Sequence, residues 1–166
     1  MTATATIAAE FKSRMFDVAS ALWATSQPDL LVSYGRVGIN VPEDLVMVLG
    51  VQSSFEPGAI ATNRQRTETV VLETSWWFFR PGEEGAEREA TDTLYARMGE
   101  LENHLRLTNP RLLRTGEPAN GGLDFLTGCQ LIEHQFDTTE ATGNSGAGRL
   151  AVATARWGGD IRIRNN

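Results

Sequence analysis

The sequence predicts an α+β domain in which a mostly antiparallel β-sheet carries two α-helices on one face. Two segments place apolar side chains at helical spacing, and five others read as strands from their apolar runs or alternation. The resulting order is α-β-β-β-α-β-β, which groups strands with strands instead of alternating strand and helix. We expect residues 1–166 to form a single domain, because this length can bury one sizeable core.

The first predicted element is a helix near the start of the chain. Its apolar residues recur at steps of four and three: Ile7, Phe11, Met15, Val18 and Leu22. The segment "TSQPD" (25–29) ends the helix, because proline disfavours helical geometry in the residue before it. Two strands follow, "LLVSYGRV" (30–37) and "LVMVLGV" (45–51), and the apolar run of the second indicates burial on both faces.

The middle of the chain contains the longest strand and the second helix. Residues 52–66, "QSSFEPGAIATNRQR", lack a period and predict a long loop that becomes ordered against partners. The strand "RTETVVLETSWWFFR" (66–80) and a turn at 81–85 come next. The helix has apolar residues at steps of four and three: Ala86, Ala90, Leu94, Met98, Leu101 and Leu105. We expect Leu94, Met98 and Leu101 to be buried against the sheet.

Two long strands are predicted at the end of the chain. An irregular stretch at 109–122 precedes the strand "LDFLTGCQLIEHQFDTT" (123–139). The glycine-rich segment 140–148 predicts a long, flexible hairpin tip before the returning strand 149–164. The glycine pair at 158–159 indicates a bulge or a bend within that strand.

The run "WWFF" (76–79) cannot be buried on one face of a strand, because successive side chains point to opposite faces. The more apolar parity should pack beneath the helices: Val70, Leu72, Thr74, Trp76 and Phe78. The other parity would expose Trp77 and Phe79 in a lone monomer, which is typical of an interface. A stacking platform for single-stranded nucleic acid is less favoured, since such platforms come with basic grooves.

Composition argues against several classes of function. The net charge of −6 disfavours a dedicated nucleic-acid-binding protein, which normally carries a basic surface. The single cysteine, Cys129, cannot form an internal disulfide and fits a reducing compartment. The start of the chain lacks the features of a signal peptide, and no apolar run approaches the ~20 residues that span a bilayer. We therefore expect a protein made in a cytoplasm and without a membrane partner.

The polar motifs predict no catalytic, cofactor-binding or metal site. The segment "GNSGAG" (143–148) lacks the lysine and the helix N-terminus that a phosphate-binding loop requires. On a strand, Cys129, Glu133 and Asp137 would line one face and His134 the other, which suits a metal poorly. The acids of "EEGAERE" (83–89) are explained by the positive end of a helix. An enzyme is therefore not expected.

Nearly the whole chain resembles the tail terminator proteins of long, non-contractile-tailed phages, particularly those of actinobacterial hosts. The resemblance lies in the helical start and the strands "VSYG" and "PEDLVMVLGV", followed by a loop ending in the arginine that opens "RTETVVLETSWWFFRPG". It continues through the helix "AEREATDTLYARMGELENHLR" and the terminal strand "GRLAVATARWGGDIRIR". Related tail-tube and neck proteins share a similar small α+β build.

The resemblance implies a virion protein without an active site or cofactor, assembled in the host cytoplasm. Such a protein forms a ring, typically of six subunits, at the head-proximal end of the tail. The ring contacts the major tail tube protein and the neck, or connector, protein, and genomic DNA passes through its channel without specific binding. We assign Trp77, Phe79, Phe55 and Arg66 to a subunit or partner interface, and Glu73 and Ser75 to the channel, as hypotheses. A tail-tube or neck subunit is the alternative function, and a small-ligand-binding or enzymatic domain is a third.

Overall fold

The computed structural model describes residues 8–38, 41–57, 65–83, 85–108, 123–124 and 129–164. Its elements are α1 (Ala8–Trp23), β1 (Leu31–Ser33), β2 (Asp44–Pro57), β3 (Gln65–Pro81), α2 (Ala86–Asn103), a π-helical turn (His104–Thr108), β4 (Leu123–Asp124), β5 (Gln130–Gly143) and β6 (Gly146–Arg164). The predicted α+β class and the order of its elements are confirmed, and the two-residue β4 is an addition.

The strands form one twisted sheet in which only the β1–β2 pair is parallel. The order across the sheet is β1-β2-β3-β6, and both β4 and β5 pair with the far side of β6. One row of paired residues crosses the sheet from edge to edge: Val32, Val46, Trp76, Ala153 and Phe136. This row belongs to the face on which both helices pack, with α1 against β2 and α2 against β3 and β6.

The helices bury the side chains that helical periodicity places on one stripe. In α2 the predicted burial is confirmed, with Leu94 and Leu101 at 0% exposure and Met98 at 3%. In α1 the fully buried residues are Phe11, Met15, Ala19 and Trp23. Val18 and Leu22, expected in the core, are only partly buried at its rim, because the large Trp23 ring takes the central position at the helix end. Ile7 lies outside the described residues.

Three tryptophans form the centre of the core. Trp76 packs edge-on against Trp23 of α1, with ring centroids 5.9 Å apart, and tilted against Trp157 of β6 at 6.4 Å. The Thr74 hydroxyl accepts a hydrogen bond of 2.8 Å from each of the Trp76 and Trp157 indoles, and it donates to the Ala155 carbonyl at 3.3 Å. Two acceptor sites and one donor exhaust the capacity of a hydroxyl, so Thr74 is fully satisfied.

Two strands extend further than the sequence predicted. β2 continues to Pro57 and β3 begins at Gln65, so the first part of the expected loop 52–66 is paired strand, and 58–64 lie outside the described residues. β5 and β6 pair up to Gly143 and Gly146. The expected long hairpin tip at 140–148 is therefore wrong, and a two-residue turn joins the strands because the glycines permit the pairing to continue.

The last two strands also differ from prediction in their irregularities. The expected strand 123–139 is represented by β4 and β5, while 125–128 and the stretch 109–122 lie outside the described ranges. Pairing of β6 with β3 continues without interruption through Gly158 and Gly159, so the bulge predicted there is wrong. The irregularity falls in β5, between Leu131 and Glu133. A side chain at Gly158 would meet Ile132 Cδ1 at 2.2 Å, so this glycine makes room for the bulged residue.

Replacing Thr74 by valine tests whether its hydroxyl organises the core. The Thr74→Val variant keeps the shape but leaves two buried indole N–H groups without an acceptor, at about 1–3 kcal/mol for each. The matched control, Thr74→Ser, keeps the hydroxyl and loses one methyl group, worth about 0.8 kcal/mol before any cavity cost. We expect urea melts to show the larger loss for valine. An equal or smaller loss than for serine would show that the hydroxyl is dispensable.

Candidate functional site

The sheet face opposite the helices, called the outer face, carries four of the residues that the sequence singled out: Glu73, Ser75, Trp77 and Phe79. They belong to the odd-numbered side chains of β3 from Thr69 to Phe79, which pair with Leu150, Val152, Thr154 and Arg156 of β6. At the level of Trp77 the β2 part of this outer face is apolar and buried, with Leu45 at 0% and Met47 at 6% exposure, whereas Gln52 and Ser54 further along β2 are polar and exposed. The β5 part is polar and exposed, with Glu133, Gln135, Asp137 and Thr139. The face therefore changes from apolar to acidic across the sheet.

Trp77 and Phe79 lie on this outer face, as their parity predicted, but they differ in exposure. Trp77 is partly exposed, and its indole N–H donates to Ser75 Oγ at 2.9 Å. Phe79 is only 4% exposed, so the expectation that a monomer exposes this ring is wrong. Its ring is covered by the β5–β6 hairpin, where a Cβ at Gly143 would lie 2.6 Å from the ring and one at Gly148 would lie 2.7 Å from it.

The two residues assigned to a channel differ in the same way. Ser75 is 7% exposed and accepts the hydrogen bond from Trp77, so its hydroxyl is turned to a neighbour and not to solvent. Glu73 is exposed. It is in register with Arg156, whose guanidinium donates to Glu133 at 2.7 Å on the next strand. Glu73 therefore belongs to a row of alternating charges and is not an isolated acid.

Phe55 and Arg66 do not lie beside Trp77. Phe55 is 44% exposed near the far end of β2, and Arg66 pairs through its backbone with Pro57 and Ile163. The Arg66 side chain lies outside the described part of the chain. Arg66 and Trp77 are eleven positions apart on β3, which is about 35 Å along an extended strand. The four predicted interface residues therefore occupy two ends of the β2–β3 hairpin and not one patch.

The segments considered for chemistry have structural roles. Asn144 and Ser145 form the turn of the "GNSGAG" segment, and the Glu43 carboxylate accepts hydrogen bonds from the Ser145 hydroxyl and, at 3.1 Å, from its backbone N–H.

Across the ranges that the structure describes, no three His, Cys, Asp or Glu side chains group to hold a metal ion. No helix in those ranges is long and apolar enough to cross a membrane. An open groove of about 390 Å³ beside the hairpin is lined by Glu83, Glu140 and Arg149 among small residues.

An ion-pair cluster fixes the end of β3 to both neighbouring elements. Arg80 donates to the two Asp44 carboxylate oxygens at 2.6 and 3.2 Å, and its Nε lies 3.3 Å from Glu89 in the first turn of α2. The hydrogen bonds to Asp44 raise the pKa of the Arg80 guanidinium. This bidentate contact holds the start of β2 against the strand that carries Trp77.

Two aromatic clusters at the sheet edges were not predicted from the sequence. At one edge Tyr34, 50% exposed, packs against Phe16 with ring centroids 5.5 Å apart. At the other, Tyr95 of α2 is 39% exposed and lies 5.5 Å from the His134 ring and 5.4 Å from Phe136. Each cluster joins residues distant in sequence, so neither gives a periodic signal.

Comparison with known proteins gives a likeness of fold. No family model matches the chain, and no curated protein matches it. Among solved structures it is similar to a chain of the virion of a native gene transfer agent (GTA) particle, with a TM-score of 0.59 and 10% identity. The superposition covers 96% of this chain and 99% of that chain. At this identity the finding shows a shared fold, and that fold extends over almost the full length of both chains.

Substitution of the adjacent tryptophans should separate stability from association. Trp76 is 0% exposed, so Trp76→Ala should lower the free energy of unfolding by about 3–5 kcal/mol. Trp77→Ala removes a partly exposed ring, so we expect less than half of that loss in a urea melt but weaker self-association by light scattering. A larger loss of stability from Trp77→Ala, with association unchanged, would contradict this assignment.

The thiol of Cys129 should be unreactive in the native protein. Burial raises the pKa of this thiol to about 12, so the neutral form is favoured in the fold. The unfolded thiol ionises near pH 8.5, so native stability from this group is complete below that pH and is lost as the pH rises toward 12. At pH 8 we expect alkylation about a thousandfold slower than in urea, because the thiolate is the reactive species. Equal rates in the two conditions would contradict this environment.

Proposed function

We propose that this chain is a structural virion protein that assembles with further copies of itself and with other virion proteins. The observation that carries the proposal is the similarity of fold, over 96% of this chain, to a chain of a gene transfer agent virion. One feature of the described residues agrees with a structural role: Tyr34, Phe55 and Tyr95 expose their rings on the surface, where they can contact other subunits.

Within that class we propose a tail terminator. In this role a ring of six subunits caps the tail tube when it reaches its length, ends polymerisation, and joins the tail to the neck below the head. Its partners are the major tail tube protein and a connector protein, and DNA passes through the ring without specific binding. The support is the sequence resemblance along nearly the whole chain, together with the likeness of fold to a chain of the gene transfer agent virion.

The β2–β3 hairpin supplies two surfaces for such an assembly. The partly exposed Trp77 is the best candidate for a subunit or partner contact, because buried tryptophans commonly dominate interface energies. Phe55 and Arg66 provide a second contact at the far end of the β2–β3 hairpin. The exposed Glu73 is the candidate channel-facing residue. Together with Glu133 and Asp137 it leaves a surplus of acid around Arg156, which disfavours phosphate binding and lets DNA slide. Phe79 and Ser75 lie on the same face but are buried, so they act on these surfaces through the residues beside them.

Electron microscopy of assembly mixtures tests the proposal against its alternative. Purified chain is added to polymerising tail tube subunits of the same phage, and tube lengths are compared with and without it. We expect the chain to cap the tubes as closed rings and to stop their growth. Long tubes built from this chain alone would identify a tail-tube subunit instead. Absence of any association with itself, the tube or the connector would contradict a virion role.

A further inference from the structure

The two edges of the sheet present aromatic clusters of different composition. The β1-edge cluster consists of Lys12, Phe16 and Tyr34, with the Lys12 ammonium 4.2 Å from the centroid of the half-exposed Tyr34 ring. The β5-edge cluster consists of Tyr95, His134 and Phe136, in which the Tyr95 hydroxyl lies 3.1 Å from His134 Nε2. Exposed aromatic groups of this kind mark interaction surfaces.

The two clusters lie at the same level of the sheet. Val32 and Phe136 are the two ends of the row that passes through Trp76, and both are partly buried at the rim of the core. The successive pairings make β1 and β5 run in opposite directions. A second copy placed alongside in the same orientation would therefore set Phe136 against Val32 across an antiparallel strand pair.

Charge and hydrogen bonding agree with this pairing. The β5 edge carries the exposed acids Asp137 and Glu140, with Glu140 paired to Arg149 at 2.9 Å, and Glu87 of α2, which accepts a hydrogen bond from the Thr138 hydroxyl at 3.0 Å. The β1 edge carries Lys12 and the exposed Arg36, beside one exposed acid, Asp29. Two side chains of β5 form hydrogen bonds with backbone groups of their own strand. The Asp137 carboxylate accepts from the Thr138 N–H at 2.8 Å, and the Thr139 hydroxyl donates to the Glu140 carbonyl at 3.4 Å. Backbone groups that are already bonded disfavour the addition of another strand. A second copy should therefore pair with the residues before Asp137, beside the aromatic cluster.

We propose that copies of this chain join side by side, with the β5-edge cluster of one copy against the β1-edge cluster of the next. The inference rests on the proposed function, because a head-to-tail contact between two different surfaces closes into a ring when the rotation is suitable. The occupant of each edge is a second copy of this chain, selected by aromatic contact and by the opposite charges of Lys12 and the β5 acids. The outer face with Trp77 remains available for other contacts.

Zero-length cross-linking tests the contact directly, since Lys12 is the only lysine of the chain. A carbodiimide joins an amine to a carboxylate that already touches it. Within one copy the β1 and β5 backbones are separated by four strand spacings, about 19 Å, so this reagent cannot connect Lys12 to the β5 acids. In the assembled protein, prepared from a mixture of isotopically light and heavy chains, we expect mixed-isotope peptides linking Lys12 to Glu87, Asp137 or Glu140.

Charge reversal provides an independent measurement. Lys12→Glu and Asp137→Lys should each weaken association up to about fivefold per contact, and the double variant should restore it. Tyr34→Ala should weaken association by about tenfold or more. The control, Leu107→Ala, removes a residue that is 69% exposed but lies in neither cluster, and it should have no effect.

The outcomes separate this contact from the function on which it depends. Rings or caps that form without links from Lys12 to the β5 acids, or that tolerate both charge reversals, would overturn the edge contact and leave the virion role intact. A chain that remains monomeric alone and with its tube and connector proteins would overturn both.

Discussion

The fold depends on how the hydroxyl of one threonine accommodates two buried tryptophans. An indole N–H in an apolar core requires an acceptor, and Trp76 and Trp157 share the single oxygen of Thr74. Sharing is possible because Thr74 and Trp76 lie two residues apart on one face of β3, while Trp157 comes from the paired strand β6. The same hydroxyl donates its O–H to the Ala155 carbonyl, which fixes its position relative to β6. The geometry thus sets both the parity of β3 and its register with β6.

That fixed parity has consequences on both faces of the sheet. Trp76 and Phe78 turn toward the helices, and Trp23 of α1 closes the cluster while its own indole N–H donates to Glu100 of α2 at 2.8 Å. Trp77 must then occupy the outer face, where Ser75 satisfies its N–H. All four tryptophans are therefore hydrogen-bonded, and only Trp77 retains exposed ring surface. An aromatic run in one strand becomes a core on one side and a candidate contact on the other.

Periodicity and strand parity were sufficient to predict the element order, the buried stripe of α2 and the inward direction of Trp76. They failed where a tertiary contact decides the outcome. Phe79 is buried because Gly143 and Gly148 leave room for its ring, which concerns residues distant along the chain. The glycine content of the β5–β6 hairpin predicts a flexible tip, but small residues also allow the two strands to pair closely up to the turn. Of the candidate site, sequence placed Trp77 and Glu73 correctly on one face, but it could not reveal how far Phe55 and Arg66 lie from them.

The positions of the polar and aromatic side chains explain why the sequence contains few motifs typical of catalysis. Catalytic sites concentrate titratable groups in a cleft, where burial and neighbouring charges shift their pKa values. Among the described residues, clear pKa shifts belong to Arg80, which holds β2 to β3, and to the buried Cys129. The other surface features change in one direction across the outer face at the level of Trp77, from apolar at the start of β2 to acidic at β5, and an aromatic cluster lies at each edge of the sheet. A chain whose two sheet edges differ in this way is suited to repeated contact with further copies of itself, because the β1 edge of one copy is complementary to the β5 edge of the next. Such complementarity depends on which residues the sheet brings to its edges, and it becomes visible only when the strand order is known.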